Sequence, residues 1–418
     1  MLPRCAGYQR RDRPLDPSRE ALYDRSLQHY FMADAQPGRL STLNGFIPMT
    51  SDHPKALLLS GYHALSQQAW AEFLVHSCTH YQWQTIALPA RFFSWRMRGA
   101  PLSLSAQNDP LLHQHYQLLV ATSSIDLAVV QSIYPTLRQV PSILYFHENQ
   151  FAYPTDNQPK AVIDWQMVNL YAALRADALV FNSDYNRQSF LSGVAALMKK
   201  LPDLVPQHLC TGLAHKAQVM PVAIAAPRPG RAQEPTGATW RLLWNHRWEW
   251  DKGPELLLAI VAQLAACNFP FKLILTGQQF RTIPAALREL CARFPDYLEQ
   301  SGYIESREDY RALLQHCDIV LSTAIHEFQG IAIMEAVSHG CVPLLPDRLS
   351  YPEFFAQSYR YQHSDSIEQQ AASAVSRLQA WRAQGLPEVP DLSDFYQARL
   401  VEPYRQCFSA ERLAIASI

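Results

Sequence analysis

Short apolar runs alternate with longer amphipathic stretches along most of the chain from Lys55 onward. The run Ala56–Ser60, which lies between Pro54 and Gly61, is typical of a strand buried on both faces. Runs of the same kind, which we interpret as strands, are Thr85–Leu88, Leu127–Val130, Ile143–Phe146, Ala178–Phe181 and Gln218–Val222. The stretches with helical character between them are Ser66–His76 and Asp164–Arg175. This alternation predicts a parallel sheet with right-handed crossovers.

The alternation stops in a Pro/Gly-rich segment, 226–237, and then restarts. The later strand-like runs are Arg241–Trp244, Leu273–Thr276, Ile319–Ser322 and Val342–Leu345. The later helix-like stretches are Pro254–Ala266, Arg307–Gln315, Ile331–His339, Glu368–Gln384 and Asp394–Phe408. We therefore predict an α/β protein with two Rossmann-like domains, 55–225 and 238–418, whose parallel sheets face an interdomain cleft. Residues 226–237 form the predicted linker, and residues 1–54, which have no sustained periodicity, form a predicted poorly ordered extension.

Composition narrows the class of protein. The chain has 418 residues, of which 48% are hydrophobic, so it is not a disordered protein. Because 36 Lys and Arg balance 37 Asp and Glu, it is not a general polycation that coats nucleic acid. No apolar stretch reaches the ~18–20 residues of a membrane span, and we expect neither a signal peptide nor membrane association. The eight cysteines are scattered without a CxxC pair, which favours a reducing, cytoplasmic location.

A first candidate site lies in the segment HEFQGIAIMEA, which follows a predicted strand. Phe328 and Gly330 belong to a tight turn, and a predicted helix begins at Ile331. The N–H groups at such a helix start can hold a diphosphate or a sugar hydroxyl. Glu327 before the helix and Glu335 within it could both point into the cleft. The alternative is a capping acid followed by a solvated helical glutamate.

A second candidate site lies in the segment NHRWEWDKGP, between a predicted strand and a helix that begins with proline. Arg247 and Lys252 are two cations that could neutralise a phosphate leaving group. Asn245, the first residue of the segment, is a further candidate for binding the same ligand. The alternative is that the two cations pair with Glu249 and Asp251 inside the loop. Both this segment and the first follow strands of one domain, so that a single ligand could meet both.

Polar residues also end two strands of the first domain. His147, Glu148 and Asn149 follow one buried strand, and Asn182 follows the next. Ligands of open α/β sheets bind at these carboxyl ends, so the four residues are candidate site residues. The alternatives are a histidine whose hydrogen bonds are made with the backbone and an asparagine that caps a helix.

The segment LPARFFSWRMRG combines guanidinium groups with aromatic rings. Guanidinium groups bind phosphates and rings stack on bases, so the segment is a candidate nucleic-acid or nucleobase contact. The residues concerned are Arg91, Phe92, Phe93, Trp95, Arg96 and Arg98, with Lys199 and Lys200 as further candidates. The alternative is that the rings fill the core and the arginines brace it.

The segments ILYFHENQ, LVFNSDYN, NHRWEWDKGPE and STAIHEFQGIAIMEAV together resemble the tRNA-queuosine α-mannosyltransferase family, a group of family 4 glycosyltransferases with the GT-B fold. The resemblance extends from Lys55 to the C-terminus. Neither GxGxxG nor GxxxxGK[ST] is present, which argues against a dinucleotide enzyme and a P-loop NTPase.

The resemblance implies retaining transfer of mannose from GDP-mannose to a hydroxyl of the queuosine cyclopentenediol in a tRNA anticodon. It implies that Arg247 and Lys252 hold the diphosphate, that Glu335 holds the ribose and that His147 lines the reacting centre. Glu327, with the backbone from Phe328 to Ile331, would hold the sugar and phosphate. Ser66 lies in the first loop and is an acceptor-side candidate. Relatives tend to carry a Ser-His pair there, whereas here Gln67 follows Ser66.

The sequence contains no Asp-x-Asp pair of the kind that bridges a metal to a diphosphate. Since the two cations and a helix start can supply positive charge, we expect no cofactor and no metal. Two alternatives remain open at this point. One is a nucleotide-sugar glycosyltransferase that acts on a small molecule or a glycan, and the other is a non-catalytic module that binds a nucleotide sugar or RNA.

Overall fold

The structure is a computed structural model that describes residues 53–153, 159–206, 208–227, 239–280 and 282–416. The predicted extension up to residue 52 and most of the predicted linker lie outside these residues. The described residues belong to one compact unit, which contains two six-stranded sheets. Every pairing within both sheets is parallel.

The first sheet has the strand order β2-β1-β3-β4-β5-β6. Its strands are β1 Lys55–His63, β2 Gln82–Pro89, β3 Leu118–Thr122, β4 Ser142–Phe146, β5 Ala178–Phe181 and β6 Ala217–Val219. The helices around it are α1 Leu65–Ser77, α2 Phe93–Gln107, α3 Leu127–Ile133, α4 Pro159–Arg175, α5 Asp184–Met198 and α6 Leu209–His215. Strands β3, β4 and β5 are buried along their whole length, because helices cover both faces of a parallel sheet.

One predicted strand of this sheet is wrong. Leu127–Val130 belongs to helix α3, where the Asp126 carboxylate accepts a hydrogen bond from the Val129 N–H. The strand lies upstream at Leu118–Thr122, between β1 and β4. A short apolar run fits a buried helix turn as well as a strand, and the capping aspartate was the signal that separates them.

The second sheet has the strand order β12-β11-β10-β7-β8-β9. Its strands are β7 Trp240–Trp244, β8 Phe271–Thr276, β9 Leu298–Gly302, β10 Ile319–Leu321, β11 Val342–Pro346 and β12 Arg360–Tyr361. The helices that follow α6 are α7 Pro254–Ala266, α8 Ala285–Arg293, α9 Arg307–His316, α10 Ile331–Ser338, α11 Tyr351–Phe354, α12 Ile367–Gln384, α13 Gln397–Cys407 and α14 Ala410–Ala416. The sequence pattern missed β9 and β12, the edge strands of this sheet, because β9 is mostly polar and β12 is short.

The C-terminal helices return to the first sheet. Leu400 and Tyr404 of α13 and the following Phe408 pack into the same cluster as Leu58 of β1 and Trp70 of α1. The prediction that residues up to 418 belong to the second domain is therefore corrected for α13 and α14. The apolar positions of α13 pack beside helix α1 on one face of the first sheet.

The two sheets meet through contacts at the carboxyl ends of their strands. Gln329, after β10, exchanges two hydrogen bonds of 2.9 Å with the backbone of Val222. The Glu353 carboxylate of α11 accepts hydrogen bonds from the N–H groups of Asp184 (2.9 Å) and Tyr185 (3.1 Å), at the start of α5. The cleft between the sheets is therefore bounded by strand ends from both halves. None of the helices in the described part of the chain combines the length and apolar character that a bilayer crossing requires.

Candidate functional site

Two loops of the second sheet form the floor of the candidate site. One follows β7 and the other follows β10, and these neighbouring strands lie where the strand order reverses, the usual ligand position in such sheets. The N–H groups of Ile325 and His326 donate to the Asp251 carbonyl over 2.8 and 3.1 Å. A Cβ at position 253 would lie 2.1 Å from the Thr323 carbonyl oxygen, so glycine is required for this approach. The two loops are thus held together by their backbones.

Lys252 lies between three acceptors at this junction. Its Nζ donates to the His326 carbonyl (2.9 Å) and pairs with Asp251 (3.3 Å) and Glu327 (3.4 Å). Burial opposes the ionisation of Glu327, but the charge of Lys252, aided by His246 and His326, outweighs it and lowers the pKa of Glu327 to about 2. The lysine and the glutamate are therefore both ionised at neutral pH.

Glu327 also stabilises the turn that precedes helix α10. Its Oε1 accepts hydrogen bonds from the N–H groups of Phe328 (3.1 Å) and Gly330 (3.2 Å). Gly330 has a φ of +82°, which favours glycine at this turn. Glu327 therefore braces the turn before the helix, whose N-cap is Gly330, and does not cap the helix itself. The same side chain pairs with Lys252, so the turn holds the carboxylate in the cleft beside a cation.

Arg247 is the more accessible of the two cations. Its side chain is 46% exposed and pairs with Glu249 at 2.8 Å and with Asp251 at 3.9 Å. The pairing inside the loop that the sequence left as an alternative is therefore present. Burial works against the charge of Arg247, but Glu249, Asp251 and the Glu148 carboxyl of the other domain outweigh it and raise its pKa. The guanidinium is thus held charged at a position where a ligand in the cleft can meet it.

Glu335 lies further along α10, close to Asn245 and Tyr310. The Asn245 Nδ2 donates to the Ala332 carbonyl (2.8 Å) and to the Tyr310 hydroxyl (3.0 Å), and its Oδ1 is buried without a hydrogen-bond partner among the described residues. Burial raises the pKa of Glu335, so this glutamate is not the solvated side chain of the alternative interpretation. An amide oxygen and a carboxylate are thus available together for a hydroxyl-rich ligand.

His147 lies across the cleft at the end of β4. Its ring packs against Trp70 and Tyr145, each with a centroid separation of 4.7 Å. Burial, together with His63, lowers the pKa of His147 to about 3, so the imidazole is neutral. Its Nε2 is buried and has no hydrogen-bond partner among the described residues, as is also true of the His326 Nε2. Buried polar atoms in proteins usually have a hydrogen-bond partner, so these two nitrogens are candidate ligand contacts.

Glu148 is the acid of the first domain that faces the two cations. Burial raises its pKa to about 7, against the opposing charges of Arg247 and Lys252. It therefore titrates near neutral pH. Such a shifted carboxyl group in a cleft is typical of a functional site.

Two predicted acceptor residues instead hold the loops of the first domain. The Asn149 Nδ2 donates to the Asn186 Oδ1 (2.8 Å), and its Oδ1 accepts from the Phe151 N–H (2.9 Å). The Asn182 Nδ2 donates to the His147 carbonyl (2.9 Å), and its Oδ1 accepts from Asn186 (2.8 Å). Both are almost fully buried and use their amide groups within these loops, so we correct their assignment from acceptor contacts to structural groups, of which Asn182 holds the His147 backbone.

The arginines of the 88–99 segment do not share one environment. Arg96 is 7% exposed, and its Nη1 donates to the Ser103 hydroxyl over 2.8 Å, so it braces helix α2 rather than facing tRNA. Arg91, Arg98 and Trp95 are exposed, as is Ser66 in the first turn of α1. Two of the three arginines predicted to contact nucleic acid are therefore exposed, and the third is buried.

Sequence reasoning missed two tyrosines of the cleft. Tyr62 ends β1, and Tyr153, which follows the β4 loop, contacts the His326 ring at 4.5 Å. Tyr62, next to the last residue of β1, lies at a strand end and could have been identified by that position, whereas Tyr153 lies further along the loop after β4 and carried no such signal. Within the residues that the structure describes, no group of three or more His, Cys, Asp or Glu side chains is arranged to hold a metal ion.

Comparisons with known proteins agree with this architecture. Residues 55–224 match the family model described as tRNA-queuosine alpha-mannosyltransferase N-terminal, and residues 241–378 match the model for glycosyl transferases group 1. The chain is 30% identical over 328 residues to the tRNA-queuosine alpha-mannosyltransferase of Drosophila melanogaster, which covers 76% of this chain and 86% of the relative. The chain belongs to the tRNA-queuosine alpha-mannosyltransferase family. It is a glycosyltransferase, as the resemblance of its motifs predicted.

Two further matches concern a shorter stretch of this family member and its fold. A GDP-mannose:cellobiosyl-diphosphopolyprenol alpha-mannosyltransferase of Xanthomonas oryzae is 31% identical over 107 residues, 25% of this chain and 28% of that one. The crystal structure of Anabaena HepE in complex with UDP superimposes with a TM-score of 0.55 at 14% identity, and covers 87% of this chain and 100% of that chain. The predicted GT-B fold is confirmed.

Proposed function

We propose that the protein transfers mannose from GDP-mannose to a hydroxyl of the queuosine cyclopentenediol in a tRNA anticodon, with retention of configuration. The observation that carries the proposal is the match of residues 55–224 to the N-terminal family model. The second half matches a general glycosyltransferase model, so the first half is where this family differs from others. We expect the acceptor to bind there.

The donor side of the proposal rests on the two loops after β7 and β10. Arg247 and Lys252 would meet the diphosphate, and Glu335 with Asn245 would bind the ribose hydroxyls. The Xanthomonas relative, whose name includes GDP-mannose, is similar to this chain over a quarter of its length, which supports the same donor. Glu327 would contact the sugar, and the backbone at Phe328 and Ile331 would contact sugar and phosphate.

The chemical step follows from this arrangement. The bond between the mannose anomeric carbon and the diphosphate oxygen breaks, and the acceptor oxygen forms a bond to that carbon on the same face. The acceptor proton passes to the leaving diphosphate oxygen. Arg247 and Lys252 stabilise the charge that develops on the diphosphate. The neutral His147 imidazole, with its unpartnered Nε2, can hold a hydroxyl at the reacting centre without adding charge.

The test is transfer by the purified protein. We expect tRNA that carries queuosine, incubated with GDP-mannose, to yield nucleosides in which queuosine has gained one hexose, as detected by mass spectrometry. The same tRNA lacking queuosine is the control for the acceptor, and UDP-glucose and UDP-galactose are controls for the donor. Transfer to a small molecule or glycan but not to tRNA would support the other glycosyltransferase function and contradict the proposal.

Metal dependence is part of the same proposal. Since the loops supply two cations, we expect transfer to persist in excess EDTA. Loss of transfer on chelation and its recovery with Mg²⁺ or Mn²⁺ would contradict the role given to Arg247 and Lys252. A tRNA acceptor also fits the cytoplasm, which is the location that we propose.

A further inference from the structure

Four aromatic rings of the first domain form a continuous strip. Phe93, at the start of α2, lies 5.3 Å from Tyr62, 6.4 Å from Tyr153 and 6.0 Å from Trp165, measured between ring centroids. The Tyr153 pair is nearly parallel, with an interplanar angle of 22°, whereas the other two pairs are edge-to-face. We call these four residues the aromatic strip. They come from four separate elements or loops, so tertiary folding brings them together.

The strip borders the reacting centre. Tyr62 ends β1 and Tyr153 follows β4, at the same edge of the sheet as His147. Burial raises the pKa of Tyr62, and the charges of Arg247, Glu249 and Glu148 act on its hydroxyl as well, which places it beside the donor loops. At its other end, Tyr153 contacts His326 of the second domain.

The aromatic strip differs from the hydrophobic core in its exposure to solvent. All four side chains are partly exposed, whereas the stacked pair Phe146–Phe181 beneath the sheet is fully buried. Next to it, Phe92 is 70% exposed and has a φ of 57° and a ψ of 53°, a left-handed conformation that is strained for a residue with a side chain. A strained backbone that presents an exposed ring toward solvent indicates a functional surface.

We propose that the aromatic strip is a stacking subsite for a nucleobase of the RNA acceptor, next to the nucleoside that receives the sugar. This inference rests on the proposed function and specifies its acceptor side. Single-stranded anticodon loops expose bases that stack on aromatic side chains, and every base has a face that suits such rings. The exposed Arg91 and Arg98, which flank Phe92 and Trp95, would bind the neighbouring phosphates.

The experiment compares Phe93→Leu and Trp165→Leu with the wild-type protein. Loss of one stacked base typically weakens binding by about 5- to 150-fold, which corresponds to about 1–3 kcal/mol. We expect the Kd for queuosine tRNA, measured by fluorescence anisotropy, to rise within this range. The slope of log Kd against log salt should not change, because no charge is removed. The Kd for GDP-mannose should also stay as in the wild type.

Two further variants keep the test decisive. Phe93→Tyr retains a stacking ring and should restore binding, which a merely disturbed fold would not do. Tyr171→Leu removes a ring that is 53% exposed on the same helix, α4, as Trp165 but outside the aromatic strip, and it should bind tRNA like the wild type. Unchanged tRNA affinity in folded Phe93→Leu and Trp165→Leu would overturn the inference. Loss of GDP-mannose affinity instead would assign the strip to the donor.

The failure of this inference is separable from failure of the proposed function. Wild-type transfer to queuosine tRNA tests the function, whereas the binding measurements test the strip. If the wild type transfers mannose while the strip variants bind tRNA normally, only the strip assignment fails. If the wild type binds tRNA through the strip but transfers no mannose to queuosine, the strip is supported and the proposed reaction fails.

Discussion

Arg247 and Lys252 lie in one short loop, yet they have different surroundings. The Lys252 side chain is 9% exposed and is fixed between Asp251 and Glu327. The Arg247 side chain is 46% exposed, and its pairing partner at 2.8 Å, Glu249, is partly exposed as well. Substitution of Lys252 therefore removes a structural counter-ion together with a proposed ligand contact, whereas substitution of Arg247 removes mainly the proposed ligand contact.

We predict that Arg247→Met lowers kcat/KM for transfer by ~10²–10³ with little change in Tm, since one preorganised charge at the leaving group is lost. Lys252→Met should lower activity and also the free energy of unfolding, by about 3–5 kcal/mol, because it leaves two buried carboxylates without their cation. Steady-state kinetics and urea unfolding measure the two effects. Arg293→Met, which breaks an exposed pair with Glu289, is the matched control and should change neither quantity. A folded Arg247→Met variant that turns over like the wild type would contradict the assignment.

Glu148 gives a prediction about pH. Its pKa is raised by burial from 4.5 to about 7, so the folded state binds a proton that the unfolded state has released between these values. Its contribution therefore disfavours folding progressively as the pH rises through this window. We expect Glu148→Gln, which cannot ionise, to gain stability relative to the wild type from pH 4.5 to pH 7 and to keep a constant difference above it. Unfolding free energies measured across this range check the sign, and a difference that does not vary with pH would contradict it.

At the scale of the element, the sequence pattern predicts central strands and long helices well. Ala178–Phe181 and Pro254–Ala266 have the predicted bounds, because flanking turn residues end them sharply. The pattern failed at Leu127–Val130, where a run of apolar residues fits helix and strand equally. It also failed at the edge strand β9, whose side chains are mostly polar.

The sequence predicted the position of some candidate site residues but not the role of others. Motif spacing correctly placed Arg247, Lys252 and Glu327 at strand ends that share one cleft. It could not tell Asn149 or Arg96 from ligand-binding residues, because their roles depend on hydrogen-bond partners that only the folded chain brings near. The sequence shows which polar residues follow strands. The tertiary structure determines which of their side chains are free to contact a ligand and which are used in hydrogen bonds within the protein.

Helix α13 could not have been assigned to the first sheet from its sequence. Amphipathic periodicity predicts a buried face but does not identify the surface that covers it. Tyr404 shows the contact, since it is fully buried against Phe73 at 4.8 Å and its hydroxyl donates to the Pro221 carbonyl at 2.7 Å. The C-terminal helices therefore contribute to the stability of the first domain.

We predict that Tyr404→Ala lowers the free energy of unfolding by about 3–5 kcal/mol, as for other large buried aromatic residues. Tyr404→Phe should cost about 1–3 kcal/mol, because it keeps the ring but leaves the buried Pro221 carbonyl without this donor. Chemical denaturation of both variants measures the two costs. Equal losses, or no loss for the alanine variant, would contradict the packing of α13 on the first sheet.

At the scale of the whole molecule, the same edge of the first sheet serves two purposes. Asp184 and Tyr185 at the start of α5 bind Glu353 of the second domain, and the β4 loop carries His147 toward the donor loops. With a formal charge of −1, the chain has no overall field to attract tRNA. The tRNA acceptor that we propose would therefore have to be held by a local surface and not by the overall charge.

The arginines of helix α2 and of the residues before it are of two kinds. Arg91 and Arg98 are exposed, whereas Arg96 is buried, and we predict different effects when they are replaced. Each phosphate contact adds ~0.7–0.9 to the slope of log affinity against log salt, so Arg91→Ala combined with Arg98→Ala should weaken tRNA binding and flatten that slope. Arg96→Ala should leave the slope unchanged and lower Tm, because its guanidinium donates to Ser103 in the interior. Titrations at several salt concentrations, paired with melting curves, distinguish these results. The opposite result, a flattened slope for Arg96→Ala and an unchanged slope for the double variant, would contradict this assignment. Arg96 would then be the phosphate contact, and Arg91 and Arg98 would not be.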